Sequence, residues 1–597
     1  MRLLGCWSAL LVVLACAVGL CGEPEPLPAD VVLLLEFRNV EQILTDVQTF
    51  AETAQPGMTT EFVKMGFEQM VMSGDFAGLR ADGVLKMLLL DVRKYPRPVV
   101  IVVPLLDAEI YRDAVAQRLK GKAPAERDGL TVFGEDAAFL GVGKDKKLAA
   151  LADDASACKL AVGLIDAGKL QDGPMVGLDG AFAVRADPGK LLESYKDAIA
   201  ASVESLQKQM EAAFGAQPAP QGLKPEQIAA MYKLEIEAAI GIAMQLRSYE
   251  LAATINLDGV TVLNSIEAQP DTILAQFLAK QPPNDHAVLK LLPPDVIAVV
   301  DMPAAGYDTV SEAYMELVKK VLAVLQPEQP ADNLPEDVRK LMGELLGMHK
   351  GEYAIAWVQC PTDKFALDMV GAFKVSDVAR ARELFKTYPD LLQKWGDLYR
   401  GLGAKTEVRP HEGKQEHRGV ELIGCAYKYT LPLADAQPET IRKLFGEGMD
   451  IYIAIVDDWR FFTIGKNAKS QMIAVIDRYK DGGRSLWTSQ AFQDSLKASA
   501  MDVREPMGLA FWSTGEFCRW MGASDTPGHE FYAAVQDGPG MSASFGRDGA
   551  RWSTKTVLPM KEVLAIGRAI TAMGEAMIEQ FNARRGKKPA PQPAPEK

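Results

Sequence analysis

Apolar and polar residues alternate along the chain in a way that predicts short strands separated by helices. Apolar runs typical of buried strands occur at 31–35, 99–103 and 296–300. Asp-Gly pairs at 258–259 and 548–549 lie between alternating segments and predict hairpins. Because hairpins and helical segments are mixed, the pattern predicts an α+β fold, with a largely antiparallel sheet and helices packed on one face.

Four sequence landmarks recur in the same order, which predicts a tandem duplication. The first is LPADVVLLLEF at 27–37, which returns as LPPDVIAVVDM at 292–302. The landmarks align Asp30 with Asp295, Asp107 with Asp377, Phe139 and Gly143-Lys144 with Phe461 and Gly465-Lys466, and Asp258-Gly259 with Asp548-Gly549. We therefore expect two α+β repeats of one unit, over 27–280 and 292–583.

The changing distance between landmarks locates one insertion in each repeat. The second repeat is longer between the second and third landmarks, which predicts an insertion over 386–448. The first repeat is longer between the third and fourth landmarks, where three- and four-residue spacing predicts a helical hairpin over 190–247.

Within that hairpin, 236–246 is apolar on nearly every face, so we expect burial in the core of the first repeat, with a partner or a lipid-like ligand as alternatives. The Pro-rich segments 216–225 and 326–337 are predicted to be surface connections.

The N-terminus has the features of an export signal over 1–22. Arg2 precedes an apolar run from 3 to 20, and cleavage after Ala17 satisfies the small-residue rule. A second interpretation is a lipoprotein whose acylated N-terminus is Cys16, and a third is an uncleaved anchor. Each interpretation places the body outside the cytoplasm, in the periplasm or secreted. The partners predicted from this segment are therefore the cell envelope and, in the lipoprotein interpretation, a lipid anchor at Cys16.

Composition narrows the class of protein. The 597 residues are 48% hydrophobic and 24% charged, as in ordinary globular proteins, which excludes wholesale disorder and a polytopic membrane protein. The net charge of −14 argues against nucleic acid as a partner. Five His residues leave little material for His-based catalysis. The tail 584–597 begins with basic residues and continues with Pro and Ala, so it is predicted to be disordered.

Candidate chemistry is sparse. The body holds Cys158, Cys360, Cys425 and Cys518 without a CxxC pair, and we expect buried free thiols. Gly143-Lys144 and Gly465-Lys466 are predicted to be structural strand-to-helix turns with both Lys side chains in solvent. Neither is a Walker loop, because Ala138 and Arg460 stand where that motif needs Gly. His411, Glu412 and His417 are predicted to form an exposed polar turn, with zinc as the alternative.

Tryptophan is distributed unevenly between the repeats. All seven Trp residues outside the export segment lie in the second repeat. Trp is enriched at interaction surfaces and stacks on sugars and apolar ligands. The candidate binding residues are Trp459, Trp512, Trp520 and Trp552; the alternative is that they are core and rim residues.

Several of these features together resemble a group of large exported bacterial proteins classed as a domain of unknown function. They are the export signal, the repeated LPxD strands, the TIGK turn at 463–466 and the stretch SLWTSQAFQDSLKAS at 485–499. The resemblance implies an extracytoplasmic location and assigns no activity, so no catalytic, cofactor or metal residue is predicted. We expect an exported, non-enzymatic structural or binding protein. The alternatives are a carrier of a hydrophobic ligand and an envelope hydrolase with unidentified catalytic residues.

Overall fold

The computed structural model describes most of the chain and confirms the α+β class. The export segment 1–22 with Cys16, the tail 584–597, and the central parts 216–224 and 326–335 of the Pro-rich segments lie outside the described residues. The described residues are 27–54, 57, 59–119, 124–134, 138–215, 225–325, 336–360, 363, 366–397, 405–413, 415–430, 448–501, 503–522 and 538–568.

The first half contains ten described strands and eight α-helices. The strands are β1 (Val31–Arg38), β2 (Val84–Leu90), β3 (Val99–Pro104), β4 (Ala125–Arg127), β5 (Leu130–Phe133), β6 (Ala138–Val142), β7 (Leu148–Ala152), β8 (Phe182–Ala186), β9 (Leu246–Asn256) and β10 (Gly259–Ala268). The helices are α1 (Val40–Ala54), α2 (Glu61–Met70), α3 (Ala108–Leu119), α4 (Ala155–Asp166), α5 (Pro188–Ser194), α6 (Lys196–Gly215), α7 (Pro225–Ala243) and α8 (Ile273–Ala279).

The second half contains eleven described strands, seven α-helices with fully described bounds and a further helical stretch over 560–568. The strands are β11 (Val296–Pro303), β12 (His349–Gln359), β13 (Leu367–Val375), β14 (Lys405–Pro410), β15 (Gln415–His417), β16 (Val420–Thr430), β17 (Met449–Val456), β18 (Trp459–Gly465), β19 (Glu505–Trp512), β20 (Met541–Asp548) and β21 (Arg551–Pro559). The helices are α9 (Tyr307–Leu325), α10 (Glu336–Gly347), α11 (Val378–Lys386), α12 (Tyr388–Asp397), α13 (Ala468–Asp481), α14 (Gln490–Ala498) and α15 (Thr514–Gly522).

The described strands form one antiparallel sheet. In the first half the order is β4-β5-β6-β7-β3-β2-β1-β8-β9-β10. In the second half it is β15-β16-β17-β18-β13-β12-β11-β19-β20-β21, and β14 also pairs with β16. Strands β10 and β21 pair with each other, with Asn264 opposite Thr554, and so join the halves. The strand order is the same in both halves, as two copies of one unit would have it; the duplication itself stays a prediction.

The third sequence landmark was aligned wrongly. Gly143-Lys144 lies in the hairpin turn between β6 and β7, whereas Gly465-Lys466 lies between β18 and α13. By position in the sheet, β18 corresponds to β7, and Asp154 before α4 corresponds to Asn467 before α13. A Gly-Lys pair is compatible with both kinds of turn, because Gly adopts backbone conformations that other residues avoid and the Lys side chain extends into solvent. The pair therefore does not show whether a strand or a helix follows.

Helices cover both faces of the sheet, so the prediction of helices on one face is wrong. On β3, Val100 and Val102 pack in one core with residues of α4, whereas Ile101 and Val103 pack in another core with residues of α3. Successive side chains of a strand point to opposite faces. A strand that is apolar at every position therefore needs cover on both sides, and the uninterrupted run at 99–103 is of that kind.

The helical pair α6 and α7 packs against itself and against α9 rather than into the core of the first half. Helix α7 ends at Ala243, and Leu246 is the first residue of β9. Ile236, Ile240 and Ile242 are only half-buried. The expectation that 236–246 lies buried in the core of the first repeat is therefore wrong. Among the described residues, no helix combines the length and the hydropathy that a membrane span requires.

Candidate functional site

The four predicted Trp residues do not form one site. The Phe517 ring lies between Trp512 and Trp520, with centroid distances of 5.1 and 5.6 Å. Trp459 is buried in the core beneath α13, with the Lys374 ammonium 5.0 Å from its ring centroid. Trp552 packs at the β10–β21 seam. The structure thus brings together Trp512 and Trp520 and separates the other two.

The two His residues of the predicted polar turn bind different carboxylates. His411 stacks on Tyr452, and its Nε2 lies 3.3 Å from an oxygen of Asp450. His417 Nε2 lies 2.7 Å from Asp477. The His411 Nε2 makes no hydrogen bond with the described residues, and because the two imidazoles lie near different carboxylates, the pair does not converge on one ion. Within the described ranges there is no group of three or more His, Cys, Asp or Glu side chains suited to a metal.

The paired lysines differ in their surroundings. Lys144 is 85% exposed and lies 3.5 Å from Asp166, which confirms the prediction of a solvated side chain. Lys466 is also exposed, as predicted, and it pairs with Asp363 at the surface.

The four cysteines of the body are buried thiols that form no disulfide, as predicted. Burial raises the pKa of Cys158 to about 12 and the pKa of Cys425 to about 11. The thiolate is the reactive form of cysteine, so these thiols are inert at neutral pH.

A buried polar cluster holds the segment that connects the two halves. Asp301 on β11 accepts a hydrogen bond from the Asn284 amide at 2.9 Å, and its other oxygen lies 2.6 Å from His286 Nδ1. Glu352 on β12 accepts the Val288 N–H at 2.7 Å. Burial and the neighbouring Asp301 raise the pKa of Glu352 to about 8. These contacts hold the connecting segment in place. The Asp301–His286 pair resembles part of a hydrolase site, but such a site also requires a nucleophile in contact with the imidazole.

An aromatic layer between the sheet and helices α9–α12 was not anticipated from the sequence. Its rings come from β12, β13, β18, α11 and α12. Adjacent ring centroids are 4.4 to 6.0 Å apart. The rings are His349, Tyr353, Phe373, Phe385, Tyr388 and Phe462. The layer meets an apolar cluster of α10 and α11 residues, including Leu341, Leu345 and Leu384.

Arg460 on β18 lies inside this aromatic layer. Its guanidinium carbon is 4.3 Å from the Phe385 ring centroid, 4.9 Å from that of Phe373 and 5.6 Å from that of Phe462. The residue is 9% exposed, and its buried Nε has no hydrogen-bond partner. Burial lowers the pKa of Arg460 to about 10, so the guanidinium is still charged at neutral pH.

The groups around Arg460 do not neutralise it. Burial and the nearby guanidinium lower the pKa of His349 to about 3, so its imidazole is neutral at pH 7. Burial raises the pKa of Tyr353 and of Tyr388, so both phenols keep their protons. Arg460 therefore carries the formal charge of this layer. The sequence signal that marks it is an arginine within the apolar strand 459–465.

The sheet face beneath α9–α12 is covered less well than the opposite face. On β12, Ala354 and Ala356 are fully buried toward α13. The alternating side chains of Tyr353, Ile355 and Trp357 face the other way and are only half-buried. Neighbouring apolar side chains on the same face, Val300 and Met369, are also half-buried.

An open pocket of about 390 Å³ lies beside the aromatic layer, among β14, β16 and β17. Its lining includes Arg409, Tyr427 and Asp450. Arg409 pairs with Glu407 across the pocket wall. Tyr427 also lies near Tyr388. Burial is the main cause of the raised pKa of Tyr388, and Tyr427 raises that pKa further. The lining of the pocket contains no ring of the aromatic layer and not Arg460.

Comparison with known proteins does not assign a family. No protein-family model matches this chain, and no curated protein matches it. Among solved structures, crystal form I of TP0453 matches with a TM-score of 0.21 and 10% sequence identity, covering 43% of this chain and 84% of that one. A likeness of that size carries no argument about fold or function.

Proposed function

We propose that this chain is an exported, non-enzymatic protein that carries a hydrophobic ligand between the sheet and helices α9–α12 of its second half. The observation that carries the proposal is the half-buried apolar face of β11, β12 and β13 beneath those helices. Its export rests on the predicted signal over 1–22, and the shared strand order supports two repeats of one unit.

Strand β12 provides an internal comparison of its two faces. Ala354, Ala356 and Val358 are 0%, 0% and 3% exposed on the face toward α13. Ile355 and Trp357, which are larger and more apolar, keep part of their surface in contact with solvent on the other face. Burial of apolar surface stabilises by about 25 cal/mol per Å². A ligand that covers these side chains is stabilised by burying apolar surface that the protein alone leaves exposed to solvent.

Helix α7 extends the same apolar region. It contacts α9, and the Gln227 amide donates to the Val324 carbonyl at 3.1 Å. Its apolar residues between 236 and 244 are half-buried or exposed, with Met244 at 44% exposure. The helices around the proposed site thus share incomplete apolar burial, as expected where a ligand completes the packing.

The test is to express the full chain with its N-terminal segment in a bacterial host and to purify the exported protein. Native mass spectrometry before and after organic extraction then detects a bound small molecule. The neutral fluorophore N-phenyl-1-naphthylamine measures the apolar site in the extracted protein. We expect a removable adduct and saturable binding of the fluorophore.

Ile355→Gln is the test variant, because it makes the half-buried face polar. We expect fluorophore affinity to fall about tenfold, which corresponds to about 1.4 kcal/mol of lost apolar contact. Leu257→Gln is the matched control, since Leu257 is 57% exposed at the β9–β10 turn, far along the sheet from β12. The carrier proposal fails if no adduct is found and the fluorophore does not bind saturably.

A further inference from the structure

We infer that Arg460 receives the head group of the carried ligand, and that this ligand is an amphiphile with one carboxylate at the end of an apolar chain. The inference rests on the proposed carrier function and specifies its ligand. It stands on the position of the guanidinium, the rings around it and the apolar face that continues from it.

A buried guanidinium without an acidic partner is unusual. Removing an unpaired charge from water is costly, and buried charges are normally paired. For Arg460 the described surroundings provide three phenyl rings, from Phe373, Phe385 and Phe462, but no carboxylate. Cation–π contacts offset part of the cost. They involve the ring faces and provide no acceptor for the buried Nε–H, which has no hydrogen-bond partner among the described residues.

A carboxylate is the group that completes this environment. It accepts two parallel N–H bonds from a guanidinium, and its single negative charge equals the charge of Arg460. A doubly charged phosphate monoester would leave a net buried charge, because His349 is neutral and the nearby phenols are protonated. The chemistry of the site therefore favours a monocarboxylic acid.

The apolar face begins beside Arg460 and continues along the strands. Phe373 is the cross-strand partner of both Arg460 and Tyr353. From that point the same face of β12 continues through Ile355 to Trp357. Four residues of an antiparallel strand span about 13 Å. An alkyl chain that starts at the guanidinium thus lies against half-buried side chains along its length.

The open pocket supplies the approach to this site. Tyr427 lines the pocket and neighbours Tyr388, which lies at the edge of the aromatic layer. The cationic side chains of Arg409, Lys428 and Lys466 in the lining of the pocket attract an acidic head group, although Glu407 and Asp450 line it as well.

The experiment compares hexadecanoic acid with hexadecan-1-ol, which has the same chain and no charge. Each displaces N-phenyl-1-naphthylamine from the extracted full-length protein at pH 7.5. We expect the acid to bind at least tenfold more tightly than the alcohol. The preference should disappear below about pH 4, where a carboxylic acid is protonated.

Arg460→Met removes the charge and keeps an unbranched apolar side chain, and it should make the two affinities equal. Arg460→Lys keeps the charge without the bidentate donors, so part of the preference should return. The alcohol should bind all folded variants equally well. If a variant does not fold, the ratio of acid to alcohol in the unmodified protein still decides the matter.

The outcomes separate the two proposals. Equal binding of acid and alcohol by the unmodified protein overturns the role of Arg460 and leaves the carrier function standing. Binding of vesicles of phosphatidylglycerol without binding of the free acid also overturns the carboxylate inference. If the fluorophore, the acid and the alcohol all fail to bind, the carrier function itself is wrong.

Discussion

Replacing Glu352 by Gln should stabilise the protein in alkaline solution and have little effect in acid. Glu352 is 3% exposed, and burial together with Asp301 raises its pKa to about 8. The folded protein then holds the proton more tightly than the unfolded chain does. The resulting stability is fully present below the ordinary pKa of about 4.5 and is lost as pH rises through 8.

The size of the effect follows from the pKa. A rise from 4.5 to about 8 corresponds to roughly 5 kcal/mol of unfolding free energy, since each pKa unit is about 1.4 kcal/mol. Lys374 lies 3.8 Å from the second carboxylate oxygen and recovers part of that loss when Glu352 ionises. Gln keeps an oxygen that can accept the Val288 N–H. We therefore expect Glu352→Gln to gain about 2–4 kcal/mol at pH 9 relative to the unmodified protein.

The assay is urea unfolding at pH 5 and pH 9, followed by Trp fluorescence, which reports on the second half because its seven Trp residues lie there. At pH 5 the two proteins should agree within about 1 kcal/mol. Glu421→Gln, at an exposed position of β16, is the control and should show the same small difference at both pH values. A gap for Glu352→Gln that does not change between pH 5 and pH 9, or a less stable variant at pH 9, would refute the reasoning.

Three further changes test the packing. Gly371→Ala should destabilise by about 2 kcal/mol or more in thermal or urea unfolding, because its added Cβ would lie 2.2 Å from the Phe462 ring; a loss under about 0.5 kcal/mol would contradict the packing described. Arg551→Met should cost about 2 kcal/mol, because Arg551 contacts the buried Glu250 at the seam between the halves while Arg185 still pairs with that carboxylate, and a Glu250→Gln background should remove most of that cost. Lys144→Ala should change stability by no more than about 0.5 kcal/mol, since its side chain is in solvent, and a several-fold larger loss would show an unrecognised contact.

Local features of the fold were predictable because short segments determine them. The Asp-Gly pairs at 258–259 and 548–549 form the β9–β10 and β20–β21 turns, where Gly259 and Gly549 have positive φ. Asp377 accepts the Arg380 N–H at the start of α11, as a helix N-cap does. Turn and cap geometry depends on a few consecutive residues, so their sequence signals are reliable.

The candidate site was predicted less well. The uneven distribution of Trp drew attention to the second half, which is also where the proposed site lies. Trp residues are large and apolar, however, so the same composition fits a core, and Trp459 is indeed a core residue. The sequence analysis considered Arg460 only because it stands at a position where a Walker loop needs glycine. Its enclosure depends on Phe373 and Phe385, which are distant in sequence and become neighbours only when β13 and α11 fold against β18.

The sequence by itself determined the α+β class, the hairpin turns at 258–259 and 548–549, the apolar strands at 31–35, 99–103 and 296–300, and the burial of Cys158, Cys360, Cys425 and Cys518. Periodicity and turn chemistry act over a few residues, and cysteine burial follows from its apolar character. Only the tertiary structure decided that helices cover both faces of the sheet, that β10 and β21 join the halves, and that Arg460 lies among aromatic rings. These features depend on which elements meet in space. The free energy that selects such contacts comes from residues far apart in the chain, so no local pattern encodes them.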